Sequence, residues 1–533
     1  MFSQNFYNIA LDCVDKHAQS YENKDKTALI CMKEGGEVTR LTFSNLQGLT
    51  NRIANGLKNS GFQKGDRIII YLPNCPEFPV MFLGAIKAGF IPIPVSPLLT
   101  SEELKFIVED SGAKEVVSSQ RWVQDLFKSS SSQFITVSTQ ADEPAYWLYT
   151  SGTEGKPKAV VHAHRSIKAH DVRTKVWQDF RRGDVIFNTS ALNWSYALTA
   201  GLLDVWRHGL TSVIYEGKPD PKNLCEIIQK EKVTIFMSVP GIYRRLVESF
   251  EKSPQPPFTK RGGSFSSPLC KGGPGGIFSN VRVCNSAGEK LPEEIRNKFK
   301  EYTGLEIYEG LGMTEHSVYL VQPFGEPVVK DSCGKALPGQ RIAVLKESIV
   351  TPAKAGGQWS QRDSRFRGND NMTEAKAGEV GILASHRSCL GLMLGYRENP
   401  PLPPFYKGGL GGFFLSNDLA YQDEKGNFFF QGRKDDVITA GGYRISPLEV
   451  ETVLNQYPKV LESAVVGLEE NQKTFVAAFV VLGKEENQTS LLQEKIKSYM
   501  SEHLAKYKIP KKIIFVNALP KTANGKLKRK ELF

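Results

Sequence analysis

The strongest constraint on this chain is the alternation of strand and helix signals through its first 250 residues. Arg67–Tyr71 is a short apolar run, Glu77–Ala88 has helical apolar spacing, and Ile91–Val95 reads as a strand again. Ser101 caps a predicted helix that runs to Ser111, with Glu102 and Glu103 in its first turn. Glu115–Ser118 is the next strand. Asn45–Asn59 is amphipathic, with Leu46, Leu49, Ile53 and Leu57 on one face and Gly61 as its stop. This order predicts parallel sheets covered by helices. After about residue 433 the pattern changes. Helices over Pro447–Gln456 and Leu491–His503, with strands over Leu461–Leu468, Thr474–Val481 and Ile513–Val516, predict a small α+β domain.

A chain of 533 residues is too long for one ordinary core and can bury large ones without disulfide staples. Lys and Arg number 68 against 57 Asp and Glu, a net charge of +11. Such an excess invites a nucleic-acid or membrane partner, so its location matters. Segments 252–280, 358–371, 401–416 and 521–533 carry +4, +1, +1 and +4, which is ten of the eleven charges. The remainder is nearly neutral, which argues against a basic nucleic-acid face. The eight Cys contain no Cys-x-x-Cys pair, so reduced, mostly buried thiols are expected rather than a zinc or dithiol site. The first twenty residues lack the apolar core of a signal peptide. The most apolar stretch, Val80–Leu99, carries Lys87 and three prolines and does not read as a membrane span. A soluble cytoplasmic protein is expected.

Three segments interrupt the order. PPFTKRGG with SPLCKGGPGGIFSN (256–280), PPFYKGGLGGFFLSN (403–417) and QWSQRDSRFRGNDN (358–371) are rich in Gly, Pro or unpatterned charge. The unit Pro-Phe/Leu-x-Lys-Gly/Arg-Gly recurs three times in the first two. These segments read as disordered loops of inserted repetitive sequence, read through in frame from a short genetic element. No strand–turn–helix frame makes them phosphate cradles.

Four clusters carry chemistry. Tyr149-Thr-Ser-Gly-Thr-Glu-Gly-Lys-Pro-Lys158 follows an apolar stretch. Its hydroxyls, backbone N–H groups and Lys156 suit phosphate oxygens, although its spacing is not that of a P-loop. In Tyr308-Glu-Gly-Leu-Gly-Met-Thr-Glu315 a hydroxyl adjoins a carboxylate, a pairing that holds a phosphate beside a hard cation. Asp418 and Arg433 flank a strand-like stretch, and an Asp is the common acceptor for ribose hydroxyls. Pro520-Lys-Thr-Ala-Asn-Gly-Lys526 sets Lys526 just after a turn signal in the basic tail. His162 and His164, which follow the first cluster, are read as structural.

With SAGE (286–289) and GRKDDVITAGGYRISPLEVE (432–451), these motifs form a set whose chance co-occurrence is negligible. In order and spacing the chain resembles the adenylate-forming superfamily of acyl-CoA synthetases, peptide-synthetase adenylation domains and firefly luciferase. The likeness spans essentially the whole chain outside the three insertions. AGGYRISPLEVE and GLMLGYRENP give it the flavour of the benzoate–CoA ligase and medium-chain acyl-CoA synthetase branch.

The resemblance implies an α/β fold: a large N-terminal domain of parallel and mixed sheets covered by helices plus a β-barrel-like subdomain over 1–432, with loop insertions near 252–280, 355–373 and 401–416. A hinge at 433–436 and a small mobile α+β domain over 437–533 follow. It implies that Thr150, Ser151, Gly152, Thr153, Gly155, Lys156 and Lys158 hold the ATP phosphates, and that Gly288 and Glu289 flank adenine. Thr314 would meet the α-phosphate, Glu315 the Mg²⁺, and Asp418 and Arg433 the ribose. Asp435 matches the hinge, and Gly441, Gly442 and Arg444 match the loop lining the CoA channel. Lys526 matches the lysine that bridges the substrate carboxylate and the α-phosphate. Trp194, Tyr196, Ala197 and Gly312 match the acyl pocket, with Gly312 standing where acetate-specific relatives carry a blocking Trp.

The expected activity is an AMP-forming ligation of an aromatic or medium-chain carboxylic acid to CoA, with ATP and Mg²⁺, in a monomer or homodimer without nucleic-acid partners. Loading of a separate carrier-protein thiol and an insertion-impaired nucleotide-binding relative are the alternatives. Three departures from the pattern stand out: Glu154 for Thr or Ser, Leu311 for a frequent aromatic, and Asn417 for Gly where the third insertion reaches Asp418.

Overall fold

The computed structural model describes residues 6–150, 157–252, 276–347, 372–397, 412–440, 443–470, 473–483, 489–521 and 527–532. Most of the three repetitive segments therefore lies outside the described residues, as do Ser151, Gly152, Thr153, Glu154, Gly155, Lys156, Gly441, Gly442 and Lys526. The chain divides into two compact units: residues 1–341 with 387–405, and residues 342–386 with 406–533.

The first unit is the predicted α/β body. Its main sheet runs through Gly334–Ala336, Ser317–Val321, Ile307–Met313, Val283–Ala287, Ile235–Ser238, Val185–Asn188, Thr211–Glu216, Thr27–Lys33 and Val38–Thr42. From Ile307–Met313 to Thr27–Lys33 every pairing is parallel, and antiparallel strands finish both sides. Ile186, Phe187, Ile235, Phe236, Val283 and Cys284 are all fully buried, as strands covered on both faces require. Each such side chain contributes on the order of 2 kcal/mol by leaving water.

A second parallel sheet joins Ile91–Pro94, Arg67–Ile70 and Glu115–Val117, the strands read from the sequence. Pro144–Thr150 and Lys158–Ala163 form an antiparallel hairpin to which Gly395–Tyr396 adds an edge.

The helices follow their local signals with small offsets. Helix Phe43–Asn59 starts two residues before the predicted Asn45, because Thr42 and Asn45 cap each other reciprocally. The helix over Ser101–Ser111 is capped by Thr100 rather than Ser101, with Glu103 closing the box. Lys87, the one charge in the most apolar stretch, is fully buried and reaches Asp15 Oδ1 at 2.6 Å and Asn51 Oδ1 at 2.7 Å. Its charge is thus paired and hydrogen-bonded, as burial demands.

The second unit holds an antiparallel sheet ordered Met372–Glu374, Ile342–Glu347, Gly381–His386, Phe413–Gln422 and Asn427–Arg433. It also holds the small α+β element predicted near the C-terminus. There Val460–Glu470 pairs antiparallel with Lys473–Leu482, which pairs parallel with Lys512–Phe515. Helices Pro447–Leu454 and Ser490–His503 pack Val450, Leu454, Leu492, Ile496 and Met500 onto Val465, Val480 and Ile513. No described helix is long and apolar enough to cross a membrane. Seven cysteines are described, of which Cys13, Cys31, Cys75, Cys284 and Cys389 are buried.

Candidate active site

Parallel strands turn polar where they end. Asn188, Met237, Asn285 and Tyr308 lie in register across four adjacent strands, followed by Ser238, Ser286 and Glu309 in the next row. Carboxyl ends of parallel strands are where open α/β sheets place ligands. Asn285 Oδ1, Ser286 Oγ and Asn188 Nδ2 are buried there without a hydrogen-bond partner among the described residues.

The strand Val283–Ala287 leaves this edge through Gly288, whose φ of +98° favours glycine; a Cβ there would lie 3.8 Å from Trp194 Cζ3. The residue expected beside adenine therefore neighbours one expected in the acyl pocket. Trp194 precedes the helical turn Ser195–Leu198 that carries Tyr196 and Ala197, both buried. The Tyr196 ring stands 6.1 Å from that of Trp177, and the hydroxyls of Tyr196 and Ser195 have no hydrogen-bond partner among the described residues. Glu289 is exposed just beyond Gly288.

Gly312 has a reason to be glycine that the sequence did not reveal. Ile307–Met313 and Ser317–Val321 approach so closely that a Cβ at Gly312 would lie 2.3 Å from the Ser317 carbonyl oxygen. The hairpin itself demands glycine, whatever the depth of an acyl pocket. Leu311 lies next to it, opposite Leu320.

Thr314 and Glu315 occupy the turn of this hairpin, closed by the His316 N–H donating to the Met313 carbonyl at 3.1 Å. His162, on the strand that follows the phosphate-loop cluster, contacts the Thr314 carbonyl through Nε2 at 2.9 Å. Burial holds its imidazole down to about 3, so the ring is neutral near pH 7 and Nε2 carries the proton. Its Nδ1 is buried without a hydrogen-bond partner among the described residues, and the ring stacks on Tyr146 at 4.8 Å. The Met393 N–H donates to the Glu315 carbonyl at 2.8 Å, and the Tyr396 hydroxyl donates to Glu315 Oε1 at 2.6 Å. Among the described residues, Glu315 Oε2 and the Thr314 hydroxyl have no hydrogen-bond partner. Within this turn they are the side-chain groups left unengaged.

Behind the turn lies a fully buried ionic cluster. Arg173 pairs with Asp204, which also accepts from His170 Nδ1 at 2.9 Å. Arg173 Nη1 donates to Ser317 Oγ at 2.7 Å, and Thr199 Oγ1 lies 3.1 Å from the same hydroxyl. Burial opposes the Asp204 charge, but Arg173 and then His170 hold the carboxyl well below the usual range. This cluster ties the helical segment carrying Tyr196 to the residue two positions after Glu315. Neither it nor the Tyr396 contact was read from the sequence. Tyr396 lies in the noted GLMLGYRENP, but its partner is distant in sequence.

The remaining expected residues are placed in part. Thr150 pairs with Lys158 across the hairpin, so the two ends of the phosphate-loop cluster are held together. This joins strand to strand, unlike a P-loop, which joins strand to helix. In the second unit Asp418 and Arg433 are register partners, with Arg433 Nε 3.9 Å from Asp418 Oδ1. The Asp418 N–H donates to Ser416 Oγ at 3.1 Å, and Asn417 Nδ2 donates to Asp435 in the exposed turn Lys434–Asp436. Arg444 lies on the strand Tyr443–Ile445, opposite Thr439. On either side of the segment containing Lys526, Lys521 pairs with Leu527, and the Lys528 N–H donates to the Pro520 carbonyl at 2.9 Å. Arg529 then anchors the tail through Glu451, at 2.9 Å from Oε2, and Asp436, at 3.3 Å.

A parallel sheet with polar strand ends, a turn carrying Thr314 and Glu315 and a hairpin that joins Thr150 to Lys158 define an α/β protein with a candidate ligand site at its strand ends. The chain belongs to the AMP-binding enzyme family: the family's sequence model matches residues 15–368, and that of the AMP-binding enzyme C-terminal domain matches 449–526. Relatives in this family include proteins named as acyl–CoA and benzoate–CoA ligases. The chain is 29% identical to the uncharacterized acyl–CoA ligase YtcI of Bacillus subtilis (strain 168) over 95% of its own length and 92% of the relative's. It is also 29% identical to benzoate–CoA ligase of Thauera aromatica, over 92% of this chain and 90% of that one. The crystal structure of a benzoate CoA ligase from Burkholderia xenovorans LB400 superposes with a TM-score of 0.79 at 27% identity, covering 99% of each chain.

Proposed function

We propose that the chain is an AMP-forming carboxylate–CoA ligase whose acid is aromatic and benzoate-like or of medium chain length. The observation that carries this reading is the Thr314–Glu315 turn. His162 and Met393 fix its backbone and Tyr396 fixes one carboxylate oxygen, while the Thr314 hydroxyl and Glu315 Oε2 stay unengaged among the described residues. The aromatic pair Trp177 and Tyr196, with Trp194 nearby, suits an aromatic or apolar acyl group.

A carboxylate is a poor acyl donor because its leaving group would be oxide. Its attack on the α-phosphorus of ATP forms an acyl-adenylate and releases pyrophosphate. The CoA thiolate then attacks the acyl carbon, and AMP leaves. Thr150, Ser151, Gly152, Thr153, Gly155, Lys156 and Lys158 would hold the departing phosphates, Thr314 the α-phosphate, and Lys526 the carboxylate against it. Positive charge at that point stabilises the transition state. Gly288 and Glu289 would flank adenine, Asp418 and Arg433 would take the ribose hydroxyls, and Trp194, Tyr196, Ala197 and Gly312 would line the acyl site. Asp435 would serve as hinge between domains 1–432 and 437–533, with Gly441, Gly442 and Arg444 along the CoA path. Asp418 keeps its register opposite Arg433 despite the adjoining insertion, which favours a working site over an impaired one.

The residues fit a Mg²⁺ ion. The described residues contain no cluster of three His, Cys, Asp or Glu ligands, and Glu315 alone offers an unengaged carboxylate oxygen beside the Thr314 hydroxyl. Mg²⁺ is commonly held by one or two carboxylates plus substrate phosphates. When bound, it would neutralise charge on the phosphate oxygens.

ATP–pyrophosphate exchange across a panel of acids tests the proposal. Benzoate, substituted benzoates or C6–C10 acids should support exchange at least about tenfold faster than acetate, a difference of about 1.4 kcal/mol. Exchange with acetate alone would overturn the acid assignment. Absence of both ATP binding and exchange in soluble, folded protein would favour the impaired reading.

A further inference from the structure

Tyr396 was given no role by the sequence motifs, yet its hydroxyl touches the side chain that the proposal gives to the cation. It lies on the edge strand Gly395–Tyr396, where Gly395 and Tyr396 pair with Val161 and Val160. The Leu394 N–H donates to the Val161 carbonyl at 2.8 Å, and the Arg397 N–H donates to the Ala159 carbonyl at 2.9 Å. The run 393–397 is thereby laced to the strand that begins at Lys158. Its Met393 N–H holds the Glu315 backbone, and its Tyr396 hydroxyl holds Glu315 Oε1 at 2.6 Å. From the same strand, His162 holds the Thr314 carbonyl. Three separate contacts thus register the Thr314–Glu315 turn against the strand leaving the phosphate loop.

The contact to the carboxylate differs in kind from the other two. Backbone bonds fix where the turn lies, but a Glu side chain still has rotamers to choose among. A hydroxyl donating to one carboxylate oxygen selects one of them and leaves Oε2 presented. Carboxylates that ligate metals are themselves hydrogen-bonded, and loss of such a partner typically costs about 10- to 100-fold in metal affinity or activity.

We infer that Tyr396 is a positioning residue that orients Glu315 toward the divalent cation, so that its hydroxyl governs cation affinity without contacting the acid. This rests on the assignment of Glu315 to the cation. It predicts a split in behaviour: loss of the hydroxyl weakens the cation and leaves the acid's KM alone.

The test uses the full-length protein, Mn²⁺ as an EPR-visible probe and a non-hydrolysable ATP analogue, with Tyr396→Phe and Glu315→Gln in parallel. Tyr396→Phe keeps the ring and removes one oxygen, so the strand pairing persists. Mn²⁺ affinity should fall by about tenfold in Tyr396→Phe and by more in Glu315→Gln. Raising the cation concentration should restore pyrophosphate exchange in Tyr396→Phe, with the acid's KM unchanged. Wild-type Mn²⁺ affinity in Tyr396→Phe, with Glu315→Gln impaired, would overturn the role of Tyr396 and leave the Glu315 assignment standing. Wild-type affinity in Glu315→Gln would overturn both. Loss of exchange in Tyr396→Phe that no cation concentration restores would also overturn the inference.

Discussion

His162, His164 and His316 share one electrostatic state for one reason. Burial lowers all three, to about 3, 4 and 3, because an imidazolium in the interior has no water around it. Each spends its neutral form on a structural contact: the Thr314 carbonyl for His162, the Ile9 N–H for His164 and Gln340 for His316. A histidine whose folded value is depressed contributes stability above its unfolded value of about 6.5, and loses it as pH falls toward the folded value. The first unit should therefore weaken steadily between pH 6.5 and 4, by up to about 1.4 kcal/mol per pH unit for each buried histidine. His164→Gln removes one such proton uptake. Urea unfolding at pH 6.5 and pH 5 should show the variant losing about 2 kcal/mol less than the parent over that interval. An equal loss in both would place the proton uptake elsewhere. The sequence reading of His162 and His164 as structural fits these contacts, but their partners lie 152 and 155 residues away, beyond any local pattern.

At the scale of elements, the strands and helices were legible because their cues are local. Apolar runs such as Arg67–Ile70 and capping residues such as Thr42 and Thr100 act within a turn or a strand. What stayed hidden was each contact made by two elements far apart in sequence. The Arg173–Asp204 pair and the Tyr396–Glu315 bond join such elements, and the reason Gly312 is glycine lies in the strand packed against it. A sequence shows a glycine and suggests an open pocket. The structure shows a neighbouring backbone where its side chain would be. Gly312→Ala should accordingly lower stability by about 1–3 kcal/mol through overpacking, seen as a fall in the thermal midpoint without substrates. An unchanged midpoint would mean that the hairpin has room there, and the pocket would regain its place as the reason for glycine. In the second unit, Arg529 clasps Glu451 and Asp436 just beyond the segment that carries Lys526. Again only the basic character of the tail was visible in sequence.

For the whole molecule, the net charge of +11 first suggested a polyanionic partner. Its location gives it another meaning. Ten of the eleven charges sit in three repetitive segments and in the tail of Lys526, while the body that forms the sheets is close to neutral. The strand–helix alternation led to the parallel body and the motifs led to the family; the two family models cover the motifs at 149–158, 286–289, 308–315 and 520–526, while Asp418, Arg433 and most of 432–451 lie between the two matches. The identity of the acid was not legible, because it depends on how Tyr196, Trp194 and their neighbours enclose a volume rather than on any residue type. The central claim is that this chain splits ATP to AMP while joining an acid to free CoA. It is tested most directly by supplying ATP, CoA and the best acid of the panel, then quantifying every product. The account predicts AMP, pyrophosphate and acyl-CoA in equal amounts. ADP and phosphate in their place, or pyrophosphate release without any thioester on free CoA, would contradict it.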